Sequence, residues 1–291
     1  MYLTTSFLLS ALLYLPTVTS QNFQSSSKRG LVFVPNDKHT SDNQIWDSGN
    51  SDLNWYYNYG VVASAAFSNR TQAEFEFVPM LWSTSTSFLS SVQSLISDGR
   101  NISHVLGYNE PDGESSTPLR KLGVKTGAPA VTGSPRGLTW LEHFFDACAA
   151  AGTNCTADFI PVHWYGNFEG LASYLGQVRA AYPNTSIWVT EYALNNASLP
   201  ETQDFFKTSA EYFDRIDYID RYSYFGSFRS SVSNVGPNAS MLDQDGQLTD
   251  IGSWYLGGAA TGHVPEASGA ARINGGWALW AGLLGAGLLL L

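Results

Sequence analysis

The sequence predicts an α/β fold, a single-domain (β/α)8 TIM barrel, and three observations carry that expectation. Eight apolar, strand-like runs recur over about 230 residues, separated by helical patterns or helix-length gaps. Acids, aromatics and amides cluster at the ends of at least four of those runs, which suits a closed barrel whose strand ends converge on one mouth. The first strand-to-helix junction has no glycine-rich phosphate loop, which counts against the runner-up, an open doubly wound sheet.

In chain order, residues 28–35 (KRGLVFVP) read as the first strand and 54–60 (NWYYNYG) as the second, after an Asp- and Ser-rich connection. Residues 74–82 (EFEFVPMLW) form the third. Residues 85–99 follow as a helix, because Phe88, Val92, Leu95 and Ile96 recur at helical spacing. Residues 104–107 form a short fourth strand that leads into Tyr108-Asn109-Glu110-Pro111-Asp112. Residues 125–134 are the fifth. Residues 138–151 are a helix with Leu141, Phe144, Phe145 and Cys148 on one face. The sixth strand is 158–165 (DFIPVHWY), then a helix over 171–181, a seventh strand over 186–191 (SIWVTE), a Phe-rich helix over 202–215, and the eighth strand over 218–226 (YIDRYSYFG).

Both ends look processed. Residues 1–20 hold an apolar run, a Pro and small residues before position 21, the pattern of a secretory signal peptide; the run is short for a bilayer-spanning signal anchor. Residues 257–268 read as a stalk. Residues 269–291 end in an apolar tail with no basic cluster after it, the layout of a GPI-attachment signal with Ser268 as attachment residue; a single-pass anchor is the alternative. The catalytic domain is then residues 21–256. Six sequons, at Asn69, Asn101, Asn154, Asn184, Asn196 and Asn238, fit an exported glycoprotein. Cys148 and Cys155, close in sequence, are expected to pair as a local disulfide in that oxidising setting.

Composition narrows the function. Aromatic and charged residues each make up 14% of the 291-residue chain, and the net charge is −10. That material builds a sizeable core, and the acidity argues against nucleic acid or anionic lipid as a partner. The histidines are scattered and the cysteines lack metal-binding spacing, so neither a metal nor a cofactor is expected. No Gly-x-Ser-x-Gly nucleophile elbow is present, which disfavours an esterase. No heptad or long exposed helix suggests pairing, so a monomer is expected.

The chemistry centres on two glutamates of similar construction. Glu110 and Glu191 each stand at the end of an apolar strand, on the fourth and seventh strands. Retaining glycoside hydrolysis needs such a pair, one carboxylic acid to protonate the leaving oxygen and one carboxylate to attack the anomeric carbon. Glu110 suits the acid/base, Glu191 the nucleophile, and Asn109 a hydrogen bond to the sugar 2-hydroxyl. The other strand ends offer Tyr57, Asn58, Trp82, His163, Trp164, Tyr165, Tyr222 and Tyr224, rings to stack on pyranose faces and polar groups for hydroxyls.

Taken together, Asn109-Glu110-Pro111-Asp112, Trp188-Val189-Thr190-Glu191, Phe77-Val78-Pro79-Met80 and His163-Trp164-Tyr165 resemble glycoside hydrolase family 128, over about residues 28–256. The resemblance implies a barrel enzyme acting on β-1,3-glucan, with Glu110 as acid/base, Glu191 as nucleophile, and sugar contacts at Tyr57, Asn58, Trp82, Asn109, His163 and Tyr165. Two positions depart from it: Tyr59 and Tyr224 stand where tryptophan is common, and both bear on the outer subsites. A β-glucan-binding protein without turnover and a β-glucan transglycosylase are the alternatives. The expected location is the outer face of the plasma membrane or the cell wall.

Overall fold

The computed structural model describes residues 24–47, 49, 51–82, 85–107, 117–153 and 155–265. Strands and helices follow in the order β1 (Arg29–Val32), β2 (Trp55–Tyr57), β3 (Glu76–Phe77), α1 (Phe88–Ser97), β4 (His104–Val105), α2 (Thr117–Arg120), β5 (Lys125–Thr126), α3 (Pro135–Ala150), β6 (Phe159–Tyr165), α4 (Phe168–Ala181), β7 (Ser186–Ala193), α5 (Leu199–Arg215), β8 (Ile219–Tyr224) and α6 (Asp250–Tyr255). Every strand pairing is parallel. Six strands form one sheet in the order β3-β2-β1-β8-β7-β6, and β4 and β5 form a second. Ladder pairing is thus continuous over six and two strands. Single parallel bridges, Met80 with Leu106 and Gly127 with Phe159, join the smaller pair to both edges of the larger sheet.

Side chains alternate across the strands and sort into two apolar layers. Val32, Trp55, Tyr57, Val78, Met80, Leu106, Phe159 and Trp188 gather on one face of the strands. Their chain neighbours Leu31, Phe33, Tyr56, Phe77, Ile160, Ile187 and Val189 face the other way, in a cluster with Leu171, Leu175 and Val178 of α4 and Phe205, Phe206 and Phe213 of α5. Strands buried on both faces read as continuous apolar runs, which is why they stand out in the sequence. Gly30 is required by the inner layer: a Cβ there would lie 2.0 Å from the Trp55 ring.

Charges occupy the end where the strands begin. Arg221 Nη2 contacts Glu76 Oε2 at 2.6 Å, and its guanidinium lies over the Trp188 ring at 4.4 Å. His104 Nδ1 contacts Glu76 Oε1 at 2.8 Å, and the Ser103 hydroxyl donates to the same oxygen at 2.5 Å. Burial alone pushes the Glu76 carboxyl up, but the His104 hydrogen bond, the Arg221 charge and the Ser103 hydroxyl outweigh it and hold the pKa at about 2. At the same end, fully buried Arg29 donates to Asp52 Oδ2 at 2.6 Å, Tyr222 Oη at 3.0 Å and the Trp254 and Tyr255 carbonyls at the end of α6.

Three helices begin three residues before the expected starts, because their caps lie outside the apolar pattern. Ser134 caps α3 by accepting from Gly137 N–H, with Pro135 as first helical residue. Asn167 caps α4 by accepting from Gly170 N–H. Ser198 and Glu201 form a capping box on α5. Cys148 and Cys155 are joined in a disulfide that closes the end of α3, as the sequence suggests.

Candidate active site

The site is built at the end of β7, and a local irregularity creates it. Ile187 and Val189 face the helices, and Trp188 faces the inner layer. Regular alternation would send Glu191 toward the helices with Ile187 and Val189. Instead Val162 pairs with Val189 while the next residue, His163, pairs with Glu191, so Thr190 is an extra residue in β7. The bulge turns Glu191 to the mouth formed by the strand ends and returns Tyr192 to the helix side, where it meets Phe213 edge-on at 4.9 Å. Two donors hold the bulge in place: the Tyr57 hydroxyl reaches the Thr190 carbonyl at 2.9 Å, and the Ser223 hydroxyl donates to the same oxygen.

Glu191 is buried, and both of its carboxylate oxygens accept a phenolic hydrogen bond. Tyr59 donates to Oε1 at 2.7 Å and Tyr165 to Oε2 at 2.5 Å. His163 Nδ1 stands 3.6 Å from Oε2. Burial first, and then the negative charge of Glu191, drive the pKa values of Tyr59 and Tyr165 far above the usual phenol range, so both remain protonated donors. A carboxyl group receiving a donor on each oxygen is acceptor-only, and each oxygen keeps a second lone-pair direction. That arrangement suits an ionised carboxylate that attacks or stabilises positive charge, not a proton donor. Tyr59 reaches it at some cost in backbone energy: its φ of 60° is left-handed, about 1 to 2 kcal/mol unfavourable for a non-glycine residue.

The remaining expected site residues divide. Glu110 and Asn109 lie outside the described residues. The strand that leads to them is described as far as Gly107, where a Cβ would lie 2.9 Å from the Gly127 carbonyl oxygen, so glycine lets β4 and β5 approach closely. His163 and Tyr165 of β6 are brought to Glu191. Trp82 stands 56% exposed after β3. Asn58 braces its own loop: its Nδ2 donates to Val62 O at 2.9 Å and its Oδ1 accepts from Gly60 N–H.

Four expectations of sugar contact are corrected by strand alternation and burial. Tyr222 and Tyr224 are fully buried on the helix side. Tyr222 is tied to Arg29 and Asp214, and Tyr224 is packed edge-on against Phe206 at 5.4 Å. Trp164 also faces the helices, stacked on Tyr174 of α4 at 5.6 Å with its Nε1 donating to Asn167 O. Tyr57 faces inward but is fully buried, and its hydroxyl is committed to Thr190.

Sequence reasoning missed Tyr59 as a partner of Glu191. The available signal was period two, since Tyr57 and Tyr59 fall on one side of an extended run. Phe225, at the end of the eighth run, reads in sequence as a core residue sooner than a sugar contact; it meets the Tyr165 ring edge-on at 5.6 Å.

The chain is similar to known proteins in sequence and in fold. The family described as "Glycosyl hydrolase catalytic core" matches residues 30–120 and 114–255. A curated relative, alkali-sensitive linkage protein 1 of Schizosaccharomyces pombe, is 31% identical over 258 residues; the match covers 79% of this chain but 44% of the relative, so the chain spans under half of that protein's length. Among solved structures, a glycoside hydrolase family 128 subgroup I endo-β-1,3-glucanase of Amycolatopsis mediterranei, in complex with laminaritriose, is 27% identical with a TM-score of 0.56, covering 79% of this chain and 98% of that one. A subgroup VI exo-β-1,3-glucanase of Aureobasidium namibiae has a TM-score of 0.67 at 18% identity, covering 80% and 97%. The family resemblance carried by the sequence motifs is thereby borne out.

Proposed function

From the premise that this chain belongs to the glycosyl hydrolase catalytic-core family, we propose that it is a retaining glycosidase that cleaves β-1,3-glucan, built as a (β/α)8 barrel and acting as a monomer. The observation that carries the reading is the Glu191 carboxylate at the end of β7, with Tyr59 and Tyr165 donating to its two oxygens. The bridges that link β4 and β5 to β3 and β6 support the ring of eight strands. The solved neighbours support the substrate, since those of subgroup I are named as endo-β-1,3-glucanases in complex with laminari-oligosaccharides.

In this reading Glu191 attacks the anomeric carbon while Glu110, shortly after β4, protonates the departing glycosidic oxygen. The two carboxyl groups of such a pair stand about 5 to 5.5 Å apart. A glycosyl ester on Glu191 results. Glu110, now a carboxylate, takes a proton from water, which displaces Glu191 with net retention. The phenols of Tyr59 and Tyr165 keep Glu191 oriented between turnovers. Asn109 binds the 2-hydroxyl, and exposed Trp82 offers a stacking face farther along the chain.

Residues 1–20 act as a signal peptide, and the tail beyond the stalk is exchanged for a glycolipid at Ser268. Among the described residues no helix is long and apolar enough to cross a membrane. The enzyme then trims or remodels wall glucan at the cell surface. The test is reducing sugar released from laminarin by the wild type, with Glu110→Gln and Glu191→Gln variants checked for folding. Loss of release in both is expected; undiminished release from both would overturn the assignment.

A further inference from the structure

The chain that leaves α6 turns back along it. At Gly257, φ 87°, the direction reverses, and Gly258 N–H donates to Ser253 O at 2.8 Å. The Ser253 hydroxyl donates to Ala259 O at 2.5 Å. The Asp250 carboxylate then accepts from the N–H groups of Thr261 and Gly262, each at 2.8 Å, while the Thr261 hydroxyl donates to Leu248 O at 2.8 Å. His263 Nδ1 ends 3.6 Å from Asp243 Oδ2.

These contacts fix a direction. The start of α6 belongs to the mouth side, because Thr249 N–H donates to Met241 O and Met241 N–H to Gly226 O, just past the end of β8. The end of α6 belongs to the opposite side, where its carbonyls meet Arg29 at the start of β1. Residues 257–263 therefore form a strap that climbs from the far side back to the mouth rim, five residues before Ser268 in the sequence.

Sequon placement is an independent observation pointing the same way. Asn69, Asn101 and Asn184 are exposed and stand on the segments that feed β3, β4 and β7, on the far side. Of the two on the mouth side, Asn196 is exposed at the rim, while Asn238 has its Nδ2 committed to Ala197 O at 2.9 Å and is followed two residues later by fully buried Ser240. A face carrying several bulky glycans is a poor seat on a bilayer.

We propose that the domain is held with its mouth turned toward the membrane that carries its tail, and so meets glucan chains at the bilayer surface instead of reaching outward into the wall. This rests on the anchored-glucanase reading above.

The test uses the full chain on intact spheroplasts. A donor dye is placed at Val62→Cys, on the mouth loop after β2, or at Asp98→Cys, after α1 on the far side, with a lipophilic acceptor in the membrane. The seven residues of β6 set the two faces roughly 20 Å apart, so transfer from Val62→Cys is expected to exceed that from Asp98→Cys by at least about twofold. Adding Asp250→Ala releases the strap: the two transfers converge, and the Thr261 and Gly262 amides exchange about tenfold faster. Equal transfer from the two sites in the otherwise wild-type chain, or more from Asp98→Cys, overturns the orientation. Protein in the medium with no transfer from either site overturns the anchor and the orientation together, and continued laminarin hydrolysis shows that the glucanase reading survives.

Discussion

Tyr59→Phe and Tyr165→Phe each delete one hydroxyl and keep the ring, so each removes one donor from the Glu191 carboxylate. A hydrogen bond to a charged group contributes about 1.5 to 3 kcal/mol, and each 1.4 kcal/mol is about a factor of ten in rate. Held by one donor in place of two, the carboxylate is less well aimed, so kcat/KM for laminari-oligosaccharides is expected to fall about 10 to 150-fold in each variant. The Tyr59 variant also leaves the left-handed backbone without the hydroxyl contact it served, so its loop should exchange amides faster. The assay is kcat/KM with far-UV circular dichroism to verify folding. Undiminished kcat/KM in both folded variants would refute the role assigned to the two phenols.

The Glu76 pair predicts a pH-dependent stability. Its carboxyl has a folded pKa of about 2 against an ordinary value of 4.5, so the stabilisation is full above pH 4.5 and is lost as pH falls toward 2. That depression amounts to about 3 kcal/mol at most, and Glu76→Gln should flatten the fall in urea-unfolding free energy between those limits; an unchanged slope would contradict the assignment. Replacing Cys148 and Cys155 with Ser should lower unfolding free energy by about 2 to 3 kcal/mol in denaturant titration, because the short loop at the end of α3 gains freedom when unfolded, and leave kcat unchanged. Gly30→Ala puts a methyl group into the Trp55 ring and should destabilise by about 1 to 3 kcal/mol or more, read as a lowered Tm; a Tm equal to wild type would mean that the inner layer yields.

Most strand runs were legible because their residues are buried on both faces and therefore apolar, as in β1, β2 and β7, whereas β5 (Lys125–Thr126) and β8, with Asp220 exposed, carry polar residues. The same uniformity hid which face each residue takes. Tyr222, Tyr224 and Trp164 look like mouth residues in sequence, yet the partners that claim them, Arg29, Phe206 and Tyr174, lie elsewhere in the chain. The β3, β4 and β5 runs were expected to be longer than the two-residue ladders observed, since apolar composition reports burial and not hydrogen-bond register. Glu191 was legible as an acid at a strand end. Its phenolic partners were less so, because Tyr59 approaches across 132 positions from a backbone conformation that no propensity favours.

The extra residue at Thr190 carries a consequence for how such a site is lost or gained. Flattening the bulge with every residue kept would restore strict odd-even counting, and the acid would then point among the phenylalanines of α5 while a tyrosine took its place at the mouth. A strand one residue shorter, with the glutamate directly after Val189, would reach the mouth by plain alternation but without the Thr190 carbonyl that Tyr57 and Ser223 hold. The direction of the acid is therefore set by two hydroxyls on other strands as well as by the spelling of β7, and a related chain should be judged by its count of residues between Trp188 and Tyr192 together with those donors before it is credited with turnover.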